Sequence, residues 1–133
     1  MTDWLRSCKS TISPDGLGPL QLAWLGDAVW EMHQRLKLCK SRSRLKDMHL
    51  SVVSMVKAEA QANALIQLEH ELTDMEKDMV KRGRNRVGRG SRKLDASIYA
   101  KATGFEALIG WLFLKDPKRL SQILELLDTT LNE

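Results

Sequence analysis

Apolar side chains recur along this chain at intervals of three and four, the spacing of a helix face, and nowhere show the sustained alternation of a strand. After the breaker-rich stretch Ser13-Pro14-Asp15-Gly16-Leu17-Gly18-Pro19, they crowd the segment from Leu20 to Leu38. There are too many for a single stripe, so the first turns of this helix are predicted to be covered on most sides, by the core or by a second subunit. From Leu45 to Leu72 the pattern thins to one stripe through Leu45, Met48, Val52, Met55, Val56, Ala60, Ala64, Leu65 and Leu68, which predicts one long amphipathic helix or two. Thr73-Asp74-Met75-Glu76 reads as a capping box opening a short helix that reaches about Arg82. Helical spacing returns from Asp95 to Leu114, with Ile98, Phe105, Leu108, Ile109, Leu112 and Phe113 as expected buried positions. Pro117 suits the first turn of a last helix bearing Leu120, Ile123, Leu124, Leu127 and Leu131. The predicted fold class is all-α.

Composition narrows this picture. A chain of 133 residues is expected to form a single domain over 1–133, with its core at about 18–131. Hydrophobic residues make up 43% and charged residues 29%, a soluble balance, and no apolar run approaches the roughly 20 residues that span a bilayer. No membrane association is expected. The opening Met-Thr-Asp-Trp-Leu-Arg-Ser-Cys lacks a basic stretch followed by an apolar core, which favours the cytoplasm. Cys8 and Cys39 fit neither a disulfide framework nor a Cys-x-x-Cys motif and read as incidental thiols.

The formal charge of +4 matters less than its distribution. Seven of the 21 basic residues lie between Lys81 and Lys93, without one acid, and the 14 elsewhere are outnumbered by 17 acids. With Gly83, Gly88 and Gly90 inside it, this segment is expected to form an exposed basic loop over about 82–94, suited to a polyanion. A second basic stretch runs from Arg35 to Lys46.

Two acids stand out against their surroundings. Asp27 lies within Leu25-Gly26-Asp27-Ala28-Val29-Trp30, in the most apolar helix, and Glu106 within Phe105-Glu106-Ala107-Leu108-Ile109-Gly110. A carboxylate buried in such surroundings costs several kcal/mol unless paired or metal-bound. Taken singly, each reads as an ion-pair partner or a surface charge; together they answer each other's burial by holding one divalent cation that favours oxygen ligands, such as Mg²⁺. Glu31, one turn after Asp27, is a further candidate for that ion. Carboxylate-bound Mg²⁺ next to a basic loop suits phosphodiester hydrolysis, where charge builds on phosphate oxygens and water must be activated. Gly104 and Gly110 each cost about 1 kcal/mol in a helix, which suggests a close helix crossing. His33, His49 and His70 form no zinc motif, and no phosphate loop, nucleophile elbow or dinucleotide fingerprint occurs. Trp4, Trp24, Trp30 and Trp111 have apolar neighbours and are expected to serve core or subunit packing.

The Leu25-Gly26-Asp27-Ala28-Val29 and Phe105-Glu106-Ala107-Leu108-Ile109-Gly110 segments resemble the two acidic motifs of the ribonuclease III family. His49 with Val53, Val56-Lys57-Ala58, Ala60-Gln61-Ala62, then Arg82-Gly83-Arg84-Asn85, then Tyr99 with Ala102-Thr103-Gly104-Phe105-Glu106 resemble its Mini-ribonuclease III branch. The resemblance runs from about Leu20 to Leu120. It implies a helical endonuclease domain, working as a homodimer without a separate domain for double-stranded RNA, that cuts RNA duplexes and leaves 5′-phosphate ends. It implies a role in trimming large-subunit (23S) ribosomal RNA precursors, in a bacterial cytoplasm or a plant chloroplast, with a ribosomal protein as an optional accessory partner. Asp27 and Glu106 are then the catalytic residues and the ligands of Mg²⁺, for which Mn²⁺ can substitute. Lys81, Arg82, Arg84, Asn85, Arg86, Arg89, Arg92 and Lys93 are the RNA-binding residues.

The chain departs from the wider family at two places. Acids expected one turn before the first Asp and three residues before the second Glu are here Ala23 and Thr103. The alternative that these departures raise is a non-catalytic helical module that binds double-stranded RNA or associates with the ribosome.

Overall fold

The structure, a computed structural model, describes residues 2–8, 10–41, 44–87 and 93–131. Its α-helices are α1 (Pro19–Ser41), α2 (Leu45–Val56), α3 (Ala58–Leu68), α4 (Asp74–Asn85), α5 (Lys93–Lys115) and α6 (Pro117–Leu131), joined by 3-10 turns at Asp3–Ser7, Pro14–Gly16 and Glu69–Glu71. No strand occurs among the described residues, in agreement with the helical spacing. None of the described helices is long and apolar enough to cross a membrane.

Local chemistry sets several boundaries. Proline opens α1 and α6, where its missing N–H is no loss. Thr73 caps α4 reciprocally: its hydroxyl accepts from the Glu76 amide at 3.2 Å, and Glu76 Oε1 accepts from the Thr73 amide at 2.9 Å. The stripe from Leu45 onward divides into two helices at Lys57, whose ψ of 150° is extended. Neither Pro nor Gly marks this bend; it lets α3 lay Ala64, Leu65 and Leu68 into the core against α5.

Helix α4 runs to Asn85, past the end predicted near Arg82. Gly83 does not stop it, because it is a contact point: a Cβ there would stand 2.9 Å from both Gly104 Cα and Ala107 Cβ of α5. The front of the basic segment is therefore helix, residues 86–87 form a turn, and helix resumes at Lys93.

Helix α5 packs on α1, α3, α4 and α6. Phe105, Leu108, Ile109 and Leu112 are buried as predicted, while Ile98 and Phe113, nearer the ends of the helix, are half-buried. Trp30 of α1 stands edge-on to Phe105, ring centres 5.1 Å apart, a favoured aromatic geometry. Away from this centre, His33 of α1 is buried between Trp4, whose indole N–H donates to Nδ1 at 3.2 Å, and Asp128 of α6, which lies 2.9 Å from Nε2. Lys37 donates to the other Asp128 oxygen at 2.8 Å. These bonds tie the N-terminal turn, α1 and α6 together.

Glu76 joins the α4 cap to α6. Its carboxylate is buried and accepts from Arg119 Nε at 2.8 Å and Nη2 at 3.0 Å, while Nη2 also donates to the Glu71 carbonyl at 2.7 Å. Burial alone would raise the Glu76 carboxyl, but the Arg119 and Thr73 hydrogen bonds outweigh it and hold the acid below its ordinary value. Arg119→Met leaves that charge buried without its partner and is expected to cost about 3 kcal/mol. Because the folded value is depressed, the wild-type stabilisation is present above the ordinary carboxyl range and is lost as pH falls through the lowered value. Thermal melts at pH 7 and pH 3 check both statements: the gap between wild type and variant should narrow in acid, and a gap that is absent at pH 7 would refute the role of the pair.

Candidate active site

The crossing of α1 and α5 is built on glycine. A Cβ on Gly26 would lie 1.8 Å from the Glu106 carbonyl oxygen and 2.8 Å from Gly110 N, and a Cβ on Gly110 would lie 2.0 Å from the Leu22 carbonyl oxygen. The two backbones therefore touch, closer than any side chain permits. Asp27 follows Gly26 directly, and Glu106 supplies the carbonyl that Gly26 meets, so the crossing carries both acids to one place. Their carboxylates are within hydrogen-bonding range of each other.

The two acids differ in exposure. Asp27 is exposed on α1, which corrects the expectation that its apolar surroundings bury it, whereas Glu106 is half-buried. The reason is azimuthal: Trp24, at 83% exposure, and Ala28 share the uncovered side of α1, while Leu22, Gly26, Val29 and Trp30 face inward. The burial problem belongs to Glu106. Its carboxyl is raised from 4.5 to about 8, first by burial and then by the facing Asp27 carboxylate, with the Gln61 amide pulling the other way.

Gln61 was not among the residues the sequence singled out for chemistry. It lies on α3, is 2% exposed, and places Nε2 3.5 Å from Asp27 Oδ1. The available signal was an amide set in an alanine-rich helix, Ala58 to Ala64, whose other buried residues are apolar. Glu31 lies 3.5 Å from Arg35 along its own helix. Ala23 and Thr103 are buried, and the Thr103 hydroxyl donates to the Tyr99 carbonyl at 3.0 Å, so neither adds a ligand. Among the described residues no three His, Cys, Asp or Glu side chains cluster as a metal site. Two carboxylates are the oxygen ligands the site offers, with the Gln61 amide nitrogen beside Asp27, and carboxylate oxygens suit a hard divalent cation.

The basic residues collect on α4. Its Gly83 packs against α5 at Gly104, where an added Cβ would stand 2.8 Å from Arg84 Cγ, so the cationic end of α4 is held within one turn of Glu106 along α5. Lys81, Arg82, Arg84, Asn85 and Arg86 are all exposed. Lys81, Arg84 and Asn85, with Lys77 and His70, border a cleft of about 650 Å³ floored by Leu65 and Val80. Arg89 and Arg92 lie outside the described residues; Lys93 begins α5, and its side chain is likewise outside them.

Comparison with known proteins is consistent with this arrangement. The family described as Ribonuclease III domain matches residues 20–117. The chain is 46% identical over 114 residues to the Mini-ribonuclease 3 of a Synechococcus species, covering 86% of this chain and 83% of that protein. It is 48% identical over 107 residues to the Mini-ribonuclease 3 of Gloeobacter violaceus, covering 80% and 79% respectively. In structure it resembles a crystal structure of a Fusobacterium nucleatum protein, with a TM-score of 0.77 at 24% identity over 91% of this chain and 98% of that one.

Proposed function

This chain belongs to the ribonuclease III family, and we propose that, as an endoribonuclease, it cuts double-stranded RNA at a divalent-cation site formed by Asp27 and Glu106. Its proposed substrate is the precursor of large-subunit ribosomal RNA. The observation that carries the reading is the meeting of these two carboxylates at a glycine-built helix crossing beside a helix end rich in exposed cations.

The site fits a cation because two like charges face each other there and one is left holding a proton up to about pH 8. When bound, Mg²⁺, or Mn²⁺ in its place, supplies charge neutralisation at the scissile phosphate and a more acidic water. The chain's own residues do the rest. Asp27, with an exposed carboxylate, and Glu106, once deprotonated, would hold the cation. Lys81, Arg82, Arg84, Asn85 and Arg86 bind phosphates and 2′-hydroxyls of the duplex, a mode of recognition that reads shape more than sequence. Arg89, Arg92 and Lys93 extend the same cationic run. A second copy of the chain covers the stripe Leu20, Trp24 and Met32 on α1, exposed at 47%, 83% and 53%, and so gives the dimer one centre for each strand.

Purified protein with Mg²⁺ is expected to cut long duplex RNA to products with 5′-phosphate ends, to spare single strands, and to stop when EDTA is added. Duplex binding without cutting at any Mg²⁺ or Mn²⁺ concentration would replace this reading with that of a binding module. A pH dependence follows. Since a cation must displace the Glu106 proton below about pH 8, Mg²⁺ affinity should rise from pH 6 to 8, approaching about tenfold per unit, and level off above. Calorimetric titration checks this, and an affinity flat across that range would remove Glu106 from the ligand set.

A further inference from the structure

We propose that Gln61 is a positioning residue of the cation site, its buried amide holding the Asp27 and Glu106 carboxylates together from a third helix. The inference rests on the two-carboxylate reading above and adds a member to it.

A primary amide that is 2% exposed must find hydrogen-bond partners or cost several kcal/mol. Around Gln61 the other buried residues of α3, namely Ala62, Ala64, Leu65 and Leu68, have no polar side-chain atoms. The amide is turned to the acids instead: its Nε2 lies 3.5 Å from Asp27 Oδ1, and the amide also pulls the Glu106 carboxyl downward against its burial. A leucine would fill similar volume in such a core without burying an amide, so packing alone gives no reason for glutamine here.

Geometry strengthens the case. Asp27, Gln61 and Glu106 come from α1, α3 and α5, three elements that no local rule brings together. The bend at Lys57, four residues before Gln61, sets the direction of α3 and with it the reach of the amide. A distance of 3.5 Å is long for a hydrogen bond, as is common in sites that tighten once their ligands are bound. Two acids with nothing across from them are free to rotate apart when the cation leaves, whereas an amide between them restricts both rotamers. With Ala23 and Thr103 standing where wider family members carry acids, Gln61 is the remaining polar side chain that can do so among those shown at the site.

The test is cation binding without RNA. Wild type, Gln61→Leu and Gln61→Met are titrated with Mg²⁺ by calorimetry and with Mn²⁺ by electron paramagnetic resonance, and melts and helical dichroism are recorded alongside. Groups that orient metal ligands typically contribute 10- to 100-fold in affinity, so Gln61→Leu should bind either cation about tenfold or more weakly while its dichroism stays that of wild type. Gln61→Met keeps the length of the side chain without the N–H donor, and should weaken binding to a similar extent. Wild-type affinity in Gln61→Leu would overturn the proposal. Should that variant fail to fold, Gln61→Met decides, and wild-type affinity in it overturns the proposal. A wild-type protein that binds no cation and cuts no duplex would sink the two-carboxylate reading itself; one that does both, beside unchanged variants, sinks only the role of Gln61.

Discussion

Glu106→Gln is expected to abolish duplex cleavage, by about 10³-fold or more at saturating Mg²⁺, while duplex binding at constant salt stays close to wild type. A loss of that size corresponds to roughly 4 kcal/mol of barrier, within what a metal ligand supplies at a phosphoryl centre. The amide keeps the shape of the protonated acid but cannot become the second anion beside Asp27. Stability should move the other way. Because the folded carboxyl is raised to about 8, its favourable contribution is fully present below the ordinary value of 4.5 and is lost as pH climbs through the raised one. Metal-free wild type should therefore weaken between those limits, and Glu106→Gln should not. A variant that is inactive yet melts higher than metal-free wild type at pH 9 matches this account; an inactive variant that melts lower would point to structural damage instead. Asp27→Asn should share the loss of cleavage.

Gly26→Ala should lose activity by a different route. The added Cβ would sit 1.8 Å from the Glu106 carbonyl oxygen and 2.8 Å from Gly110 N, both backbone atoms that no rotamer change can move aside. Helices α1 and α5 must separate, and with them Asp27 and Glu106. Overpacking of a core costs about 1–3 kcal/mol when side chains can yield; where backbone must yield, about 3 kcal/mol or more is expected, a fall in Tm on the order of 10 °C. Gly16→Ala is the control, since a Cβ there meets nothing within 4 Å. Melting and cleavage measured together separate the two mechanisms: Glu106→Gln loses catalysis alone, whereas Gly26→Ala loses both. A Gly26→Ala protein with wild-type Tm would show that the crossing is looser than the structure has it.

Much of this was legible in the chain itself. Three- and four-residue spacing located the helices, Thr73 and Glu76 announced the start of α4, Pro117 announced that of α6, and the small residues at 104 and 110 signalled close crossings. Asp27 and Glu106 were visible because charge is conspicuous within apolar sequence. Other features were hidden. Gly83 reads as a helix stop by propensity, yet α4 passes through it because Gly104 of α5 needs the space. Lys57 carries no local sign of a bend. Gln61 stood in a segment that carries the family resemblance but had no chemical role assigned to it, and Asp27 looked buried.

Those differences share a cause. Periodicity reports how often a side chain returns to one face, and so the sequence alone determines that this protein is helical, where most helices begin, and which acids are out of place. It does not report the angle at which that face meets another helix. Only the packing of α1, α3 and α5 decided that Glu106 bears the burial while Asp27 stays exposed, that the two carboxylates confront each other, and that the Gln61 amide reaches Asp27, because those contacts depend on helix crossings between residues up to about eighty positions apart.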